Sequence, residues 1–232
     1  MTEGQRAEMN AIKWLHRIEL EPGFYTPGNE FDIRDQYIIL PPSFEGLRVL
    51  DLGAWDGKYS FLAEKRGAAY VLAIDTWDGT GSRGPGEAIP TKAGFNFAKK
   101  ILKSWVSSID VEACDFLDTH AGMDPFDVVL CFGLLYHVPD PVRLLAGAAK
   151  VLKPGGLLCI ETEVSAMNVD YPAAEFWPTG TESDPTNWWG LNYMCLKAIL
   201  GRLGVSVKET GWSPYGNPKR TRCAVLTEKN KL

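Results

Sequence analysis

The sequence predicts a doubly wound α/β fold, with a mostly parallel sheet closed by an antiparallel C-terminal strand pair. Three observations predict it. Five short runs, 48–52, 70–74, 109–113, 127–132 and 157–161, are largely apolar, as strands covered on both faces are. Helical stretches lie between them, at about 58–66, 93–104 and 141–151. A glycine turn, "VLDLGAWDG", follows the first run. Right-handed crossovers lay such strands side by side, with the ligand at their carboxyl ends.

Taken in chain order, residues 6–20 read as an amphipathic helix ahead of the sheet. Residues 1–40 are therefore expected to form an N-terminal helix and cover segment, and 41–232 the ligand-binding domain. The run 78–90 holds four glycines and two prolines and reads as a mobile loop. After Glu161 the pattern changes: 165–189 is rich in Pro, Asn, Asp, Thr and Trp. It reads as a long ordered loop, a Trp-rich lid inserted at about 165–190. "LNYMCLKAILGRLG" is a helix stopped by Gly204. "VSVKET" and "RCAVLTE" supply the closing antiparallel pair.

At 232 residues the chain fits one domain with additions. Apolar residues make up 45% and charged residues 23%, so a core forms without staples. The net charge of −5 offers no global attraction for nucleic acid. Five cysteines, at 114, 131, 159, 195 and 223, include no C-x-x-C pair. They read as reduced thiols of a cytoplasmic protein. The opening "MTEGQRAEMN" does not resemble a signal peptide, and no apolar run approaches the roughly 18 residues of a membrane span.

The glycine turn is the informative motif. A dinucleotide site has G-x-G-x-x-G, which brings backbone against a pyrophosphate. Here Trp55 and Lys58 stand in place of the second and third glycines, and Asp51 and Asp56 add negative charge. Two acids repel a pyrophosphate. A ligand with a cationic amino-acid end fits better: glycines admit it closely, helix N–H groups take its carboxylate, and acids favour its positive groups. Asp75 ends the second run, 22 residues after Gly53, where a ribose-binding acid sits in doubly wound folds. Asp115, in "EACDFLD" after the third run, is a candidate acceptor for an adenine amino group.

In order, "VLDLGAWDG", "AIDTWD", "ACDFLD", "DVVLCFGLLYHVPDP" and "VLKPGGLLCIETEV" resemble the successive motifs of class I S-adenosylmethionine-dependent methyltransferases. The motifs span about 49–164, and the resemblance implies a Rossmann-like methyltransferase sheet with S-adenosyl-L-methionine as cofactor. "LCFGLLYHVPDPVRLL", "CIETEV", "WLHRIELEPG" and "TPG" resemble the bacterial branch that includes the tRNA wobble-uridine carboxymethyltransferase. That branch uses lysines and a tryptophan for the extra carboxylate of its cofactor. Here residues 23–40 carry one basic residue, Arg34, and neither Lys nor Trp, which favours plain S-adenosylmethionine.

The expected cofactor residues are Asp51, Gly53, Trp55, Gly57 and Asp75, with Thr76 or Trp77 flanking the adenine. Asp115 and Phe116 stand at the adenine, and Cys131 and Phe132 at the end of the fourth run. Trp55 shapes the amino-acid end of the pocket or merely covers the helix. His137 follows the fourth run and is either a general base, for which an ordinary pKa near 6.5 suits it, or a brace of its turn. His16 is a second base candidate. Glu161 and Glu163 share one strand face by their period of two, as proton acceptor, acceptor contact or anchor of the lid. Tyr136, Tyr25, Trp188 and Trp189 are candidate walls for a flat or apolar acceptor. No dense His/Asp/Glu cluster suggests a metal.

The leading expectation is methyl transfer to a small-molecule acceptor, hydroxyl oxygen ahead of nitrogen. A tRNA wobble-uridine modifying enzyme is the first alternative, disfavoured by net charge because phosphate contacts dominate such affinity. A non-catalytic cofactor-binding protein is the second.

Overall fold

The computed structural model describes residues 1–28, 33–78, 91–120, 124–167, 169–181, 184–216 and 220–231. The predicted glycine-rich loop therefore lies outside the described residues after Asp78. Six helices and eleven strands occur among the described residues. The chain opens with α1 (Glu3–Ala11) and a small hairpin, β1 (Glu19–Glu21) and β2 (Phe24–Tyr25). The main sheet follows with β3 (Arg48–Leu52), α2 (Lys58–Lys65), β4 (Tyr70–Asp75), α3 (Ala93–Leu102), β5 (Ser107–Asp110) and α4 (Ala113–His120). Then come β6 (Phe126–Phe132), α5 (Pro141–Val151), β7 (Leu152–Ser165), β8 (Ala174–Phe176) and β9 (Trp189–Leu191). α6 (Tyr193–Arg202), β10 (Val205–Trp212) and β11 (Arg220–Lys229) complete it.

The strand order is β10-β11-β7-β6-β3-β4-β5. β11 runs antiparallel to both its neighbours, while β7, β6, β3, β4 and β5 pair in parallel. β3 and β6 are adjacent although β4 and β5 intervene in sequence, so the chain reverses its winding there. That reversal opens a crevice at the carboxyl ends of β3 and β6. β9 pairs with β7 at Val164, opposite the β11 edge and beyond the end of β6.

Alternation along each strand divides the core between two faces. Leu50, Leu52, Val129 and Cys131 pack with Phe116, Leu144 and Leu196 of α4, α5 and α6. Val49, Val128, Leu130 and Phe132 pack with Phe61 of α2, Phe95 of α3 and Trp14 and Leu20 of the N-terminal segment. No helix among the described residues is long and apolar enough to cross a membrane.

Three expectations need correction. The N-terminal helix spans Glu3–Ala11 rather than 6–20. A capping box between Thr2 and Gln5 starts it, and Ile12 turns extended so that Leu15 and His16 can both donate N–H groups to Asp56. The third strand is Ser107–Asp110 rather than 109–113. It is an edge strand paired only with β4 and half exposed, so apolar continuity is a poor guide to its bounds. Glu112 accepts the N–H of Asp115 at 3.0 Å and so caps α4, a helix the sequence reading lacked.

Candidate active site

The crevice is built on the glycine turn. Gly53 leaves β3 with φ 74°, and Gly57 caps α2 with φ 83°. A Cβ at Gly57 would lie 2.7 Å from both Phe61 and Phe95, so glycine is required by conformation and by space. Trp55, between them, is itself left-handed at φ 47°, an uncommon conformation for a bulky residue. Its N–H donates to Asp75 Oδ2 at 2.9 Å, and its carbonyl accepts from the indole of Trp77 at 2.8 Å. Both Gly53 and Ala54 donate to the Ile74 carbonyl. The turn is thus tied to the end of β4.

The three acids have different fates. Asp51 is buried and accepts from Ser60 Oγ at 2.5 Å. Burial pushes its carboxyl up to about 7. Asp75 is raised for the same reason, against the opposing N–H donors of Trp55 and Trp77. Asp56 turns away from the crevice and accepts Leu15 N–H at 2.8 Å and His16 N–H at 3.0 Å. It fastens the N-terminal segment over the turn, so that Leu15, His16, Asp51, Trp55, Phe132 and Gly133 border one pocket. Among the described residues lining it there is no lysine or arginine. Tyr59, also at its edge, packs edge-on against Phe132 at 4.7 Å and His16 at 6.2 Å.

Thr76, Trp77, Asp115, Phe116 and Cys131, also expected at the cofactor, are not on the lining of this pocket. Thr76 remains half-buried at the end of β4 and donates to Asp78 Oδ1 at 3.3 Å. Trp77 is buried under the turn against Phe95, with the Lys92 ammonium 4.4 Å from its ring centroid. It supports the turn from below. Because α4 begins at Ala113, Asp115 points outward to Arg143 at 2.9 Å, and Phe116 turns into the core. Phe132 faces the pocket, whereas one residue of strand alternation sends Cys131 into the opposite core layer.

Next to the pocket, β7 and β11 carry a buried polar network. Glu161 is fully buried and receives Arg222 Nε at 2.6 Å, Arg222 Nη2 at 3.0 Å and the Tyr37 hydroxyl at 2.7 Å. Arg222 Nη2 also donates to the Tyr136 hydroxyl at 2.9 Å. Glu163 pairs with Arg220 at 2.9 Å. The shared face expected of the two glutamates is present, and both are engaged by arginine. Arg220, Arg222, Tyr37 and Tyr59 were absent from the expected site, and Asp56, expected among the acids that favour the ligand, is instead turned to the cover segment. The signal for the arginines is "RTR" and "ETE" on neighbouring antiparallel strands, two period-of-two patterns of opposite charge that overlap at Arg222 opposite Glu163 and otherwise meet diagonally.

His137 lies against the lid rather than in the pocket. Its Nδ1 meets Thr186 Oγ1 at 2.9 Å, and its Nε2 is 3.9 Å from Asp184 Oδ2. Thr186 in turn donates to Asp184 Oδ1 at 2.6 Å, and Trp188 N–H bonds the Tyr136 carbonyl at 2.8 Å. The lid is ordered by these contacts. Its exposed aromatics pack partly on one another: Phe176 lies 4.9 Å from Trp189 and 6.4 Å from Trp188. The Trp189 indole donates to the Pro139 carbonyl. Tyr25 stands apart from this group, with Arg17 over its ring at 4.3 Å, on a separate groove along α2.

The family described as "Methyltransferase domain" matches residues 31–198. This chain belongs to that family. The ubiquinone biosynthesis O-methyltransferase of Neisseria meningitidis serogroup A is 28% identical over 162 residues, covering 69% of this chain and 62% of the relative. That of Hahella chejuensis is 31% identical over 172 residues, covering 70% and 64%. The chain thus spans about three fifths of the length of these curated relatives. Among solved structures, the N-terminal domain of EvdMO1 with SAH bound covers 99% of this chain and 96% of that one, with a TM-score of 0.65 and 18% identity. That likeness establishes the Rossmann-like methyltransferase fold. The narrower resemblance to the tRNA branch is not carried by these relatives, which bear the ubiquinone name.

Proposed function

We propose that this chain is an S-adenosyl-L-methionine-dependent methyltransferase acting on a small-molecule acceptor, a hydroxyl oxygen before a nitrogen. The observation that carries the reading is the pocket at the β3/β6 reversal. It pairs left-handed glycines with the buried acid Asp51, has the half-buried Asp75 tied to the same turn, and has no lysine or arginine on its described lining. Such a lining suits a ligand with an ammonium and a sulfonium and disfavours a phosphate. Asp51, Gly53, Trp55 and Gly57 would hold the amino-acid end, and Asp75 and Thr76 the ribose side. When bound, the cofactor supplies a methyl group on cationic sulfur. The chain's own work is then to orient the acceptor, exclude water and accept a proton.

Of the proton-acceptor candidates, Glu161 is held by Arg222 and Tyr37, and His137 by the lid. Both then serve as positioning residues. His16 is the candidate whose ring borders the pocket. Tyr136, Glu163, Trp188 and Trp189 would shape the acceptor side. The relatives' names support a small hydroxyl-bearing acceptor and add no support for tRNA.

Calorimetry with S-adenosylmethionine on the full chain tests the reading first: saturable binding is expected, and a folded protein that fails to bind sinks it. A turnover screen with labelled cofactor against phenolic and sugar-like hydroxyls then names the acceptor. Tight, steeply salt-dependent binding of tRNA in a shift assay would replace the small-molecule reading.

A further inference from the structure

We infer that Asp56 and His16 form a positioning dyad in which the carboxylate sets the imidazole as the proton acceptor of the site. The inference rests on the methyltransferase reading and deepens it. Asp56 is 1% exposed, and its Oδ2 accepts the backbone N–H groups of both Leu15 and His16. The His16 ring folds back over this anchor, with Nδ1 3.6 Å from that same oxygen. The imidazole is 5% exposed and borders the pocket shared with Asp51, Trp55, Phe132 and Gly133. A carboxylate beside Nδ1 favours the proton there, which leaves Nε2 the basic nitrogen, on the far side of the ring from Asp56.

The residues around the ring fit this role. Tyr59 packs edge-on at 6.2 Å, and the Thr26 hydroxyl donates to the His16 carbonyl at 2.7 Å, fixing the backbone from the other side. Besides Asp56, charged groups near the ring include Asp51 on the pocket lining and the neighbouring Arg17, which is turned to Tyr25. Asp56 favours a proton on the imidazole, and Asp51 adds to this only where it is ionised, above about pH 7. In the reaction the acceptor's O–H bond breaks and its proton forms an N–H bond at Nε2. The oxygen's electron pair forms the new bond to carbon, the pair of the broken carbon–sulfur bond stays on sulfur, and the imidazolium later returns its proton to solvent.

The test is nitrogen-15 NMR of the imidazoles in the full chain, with His16→Gln assigning the signal. Wild type is expected to show His16 as the Nδ1–H tautomer. In Asp56→Asn the titration midpoint is expected to fall by about one pH unit and the tautomer preference to weaken. The asparagine oxygen still accepts the two backbone N–H groups. A merely structural latch also loses the charge and lowers the midpoint, but it predicts an unchanged tautomer preference, and that result overturns the dyad. An Nε2–H tautomer in wild type overturns it as well, whatever the variant does. Calorimetry with S-adenosylmethionine on the same samples keeps the two readings apart: loss of binding in folded wild type removes the methyltransferase reading, while the tautomer reports on the dyad alone. With an acceptor in hand, His16→Gln should lower kcat by about 100-fold or more, and a loss below threefold would exclude it as the base.

Discussion

Asp51 concentrates the energetics of the site in one side chain. Its carboxyl is raised to about 7 by burial, against the opposing hydroxyl and backbone N–H of Ser60. The fold therefore prefers the protonated acid. That preference is fully present below the ordinary carboxylate range and is lost as pH rises through about 7. Asp51→Asn removes this dependence. Urea unfolding of the ligand-free protein should show the variant gaining on wild type between pH 5 and pH 8, on the order of a few kcal/mol. Cofactor binding moves the opposite way. A cationic ligand needs the ionised form, so wild-type affinity measured by calorimetry should rise with pH through about 7, and the variant should lack that rise and bind more weakly above it. A variant that tracked wild type in both experiments would show that Asp51 does not face the cation. Asp56, five residues on and equally buried, contributes to position instead, because its partners are backbone N–H groups of the cover segment. Nothing in the spelling of "VLDLGAWDG" separates the two acids; only their surroundings do.

At the scale of elements, the turn and α2 act as one unit. Gly57 joins them in a left-handed conformation with no room for a methyl group. Gly57→Ala should cost about 1–2 kcal/mol for the conformation and about 1–3 kcal/mol more for overpacking Phe61 and Phe95. A thermal melt reads the sum, and an unchanged melting temperature would mean that the turn relaxes freely. The bounds of β3, β6 and α5 were legible to within a residue because their apolar patterns are continuous and their neighbours cover them. β5 and α4 were misread for a physical reason. An edge strand is covered on fewer sides, and a helix capped by a glutamate three residues back looks in sequence like more loop. The outward turn of Asp115 to Arg143 and the burial of Phe116 follow from that single shift. The lid was legible as ordered, but its order comes from Asp184, Thr186 and His137 rather than from its tryptophans alone.

Across the whole molecule, one ion pair connects parts of the chain far apart in sequence. Glu161 on β7 meets Arg222 on β11, Tyr37 of the cover segment, and through Arg222 the hydroxyl of Tyr136. Arg222→Leu leaves the Glu161 carboxylate buried without its cation, a loss of about 3–5 kcal/mol. Adding Glu161→Leu to it should restore part of that stability in denaturant titrations, since a paired apolar replacement strands no charge. If the double variant were less stable than the single one, Tyr37 and Tyr136 would carry more of the network than the ion pair does. The sequence by itself determined the α/β class, the reversed last strand, the glycine turn and the acids around it, because apolar periodicity and glycine placement are local properties of the chain. Only the tertiary structure decided which acid faces the pocket, which histidine borders it, and that the two glutamates of β7 are bound by arginines some sixty residues downstream. Burial and charge pairing are properties of neighbours in space, and the chain brings those neighbours together only when the sheet has closed.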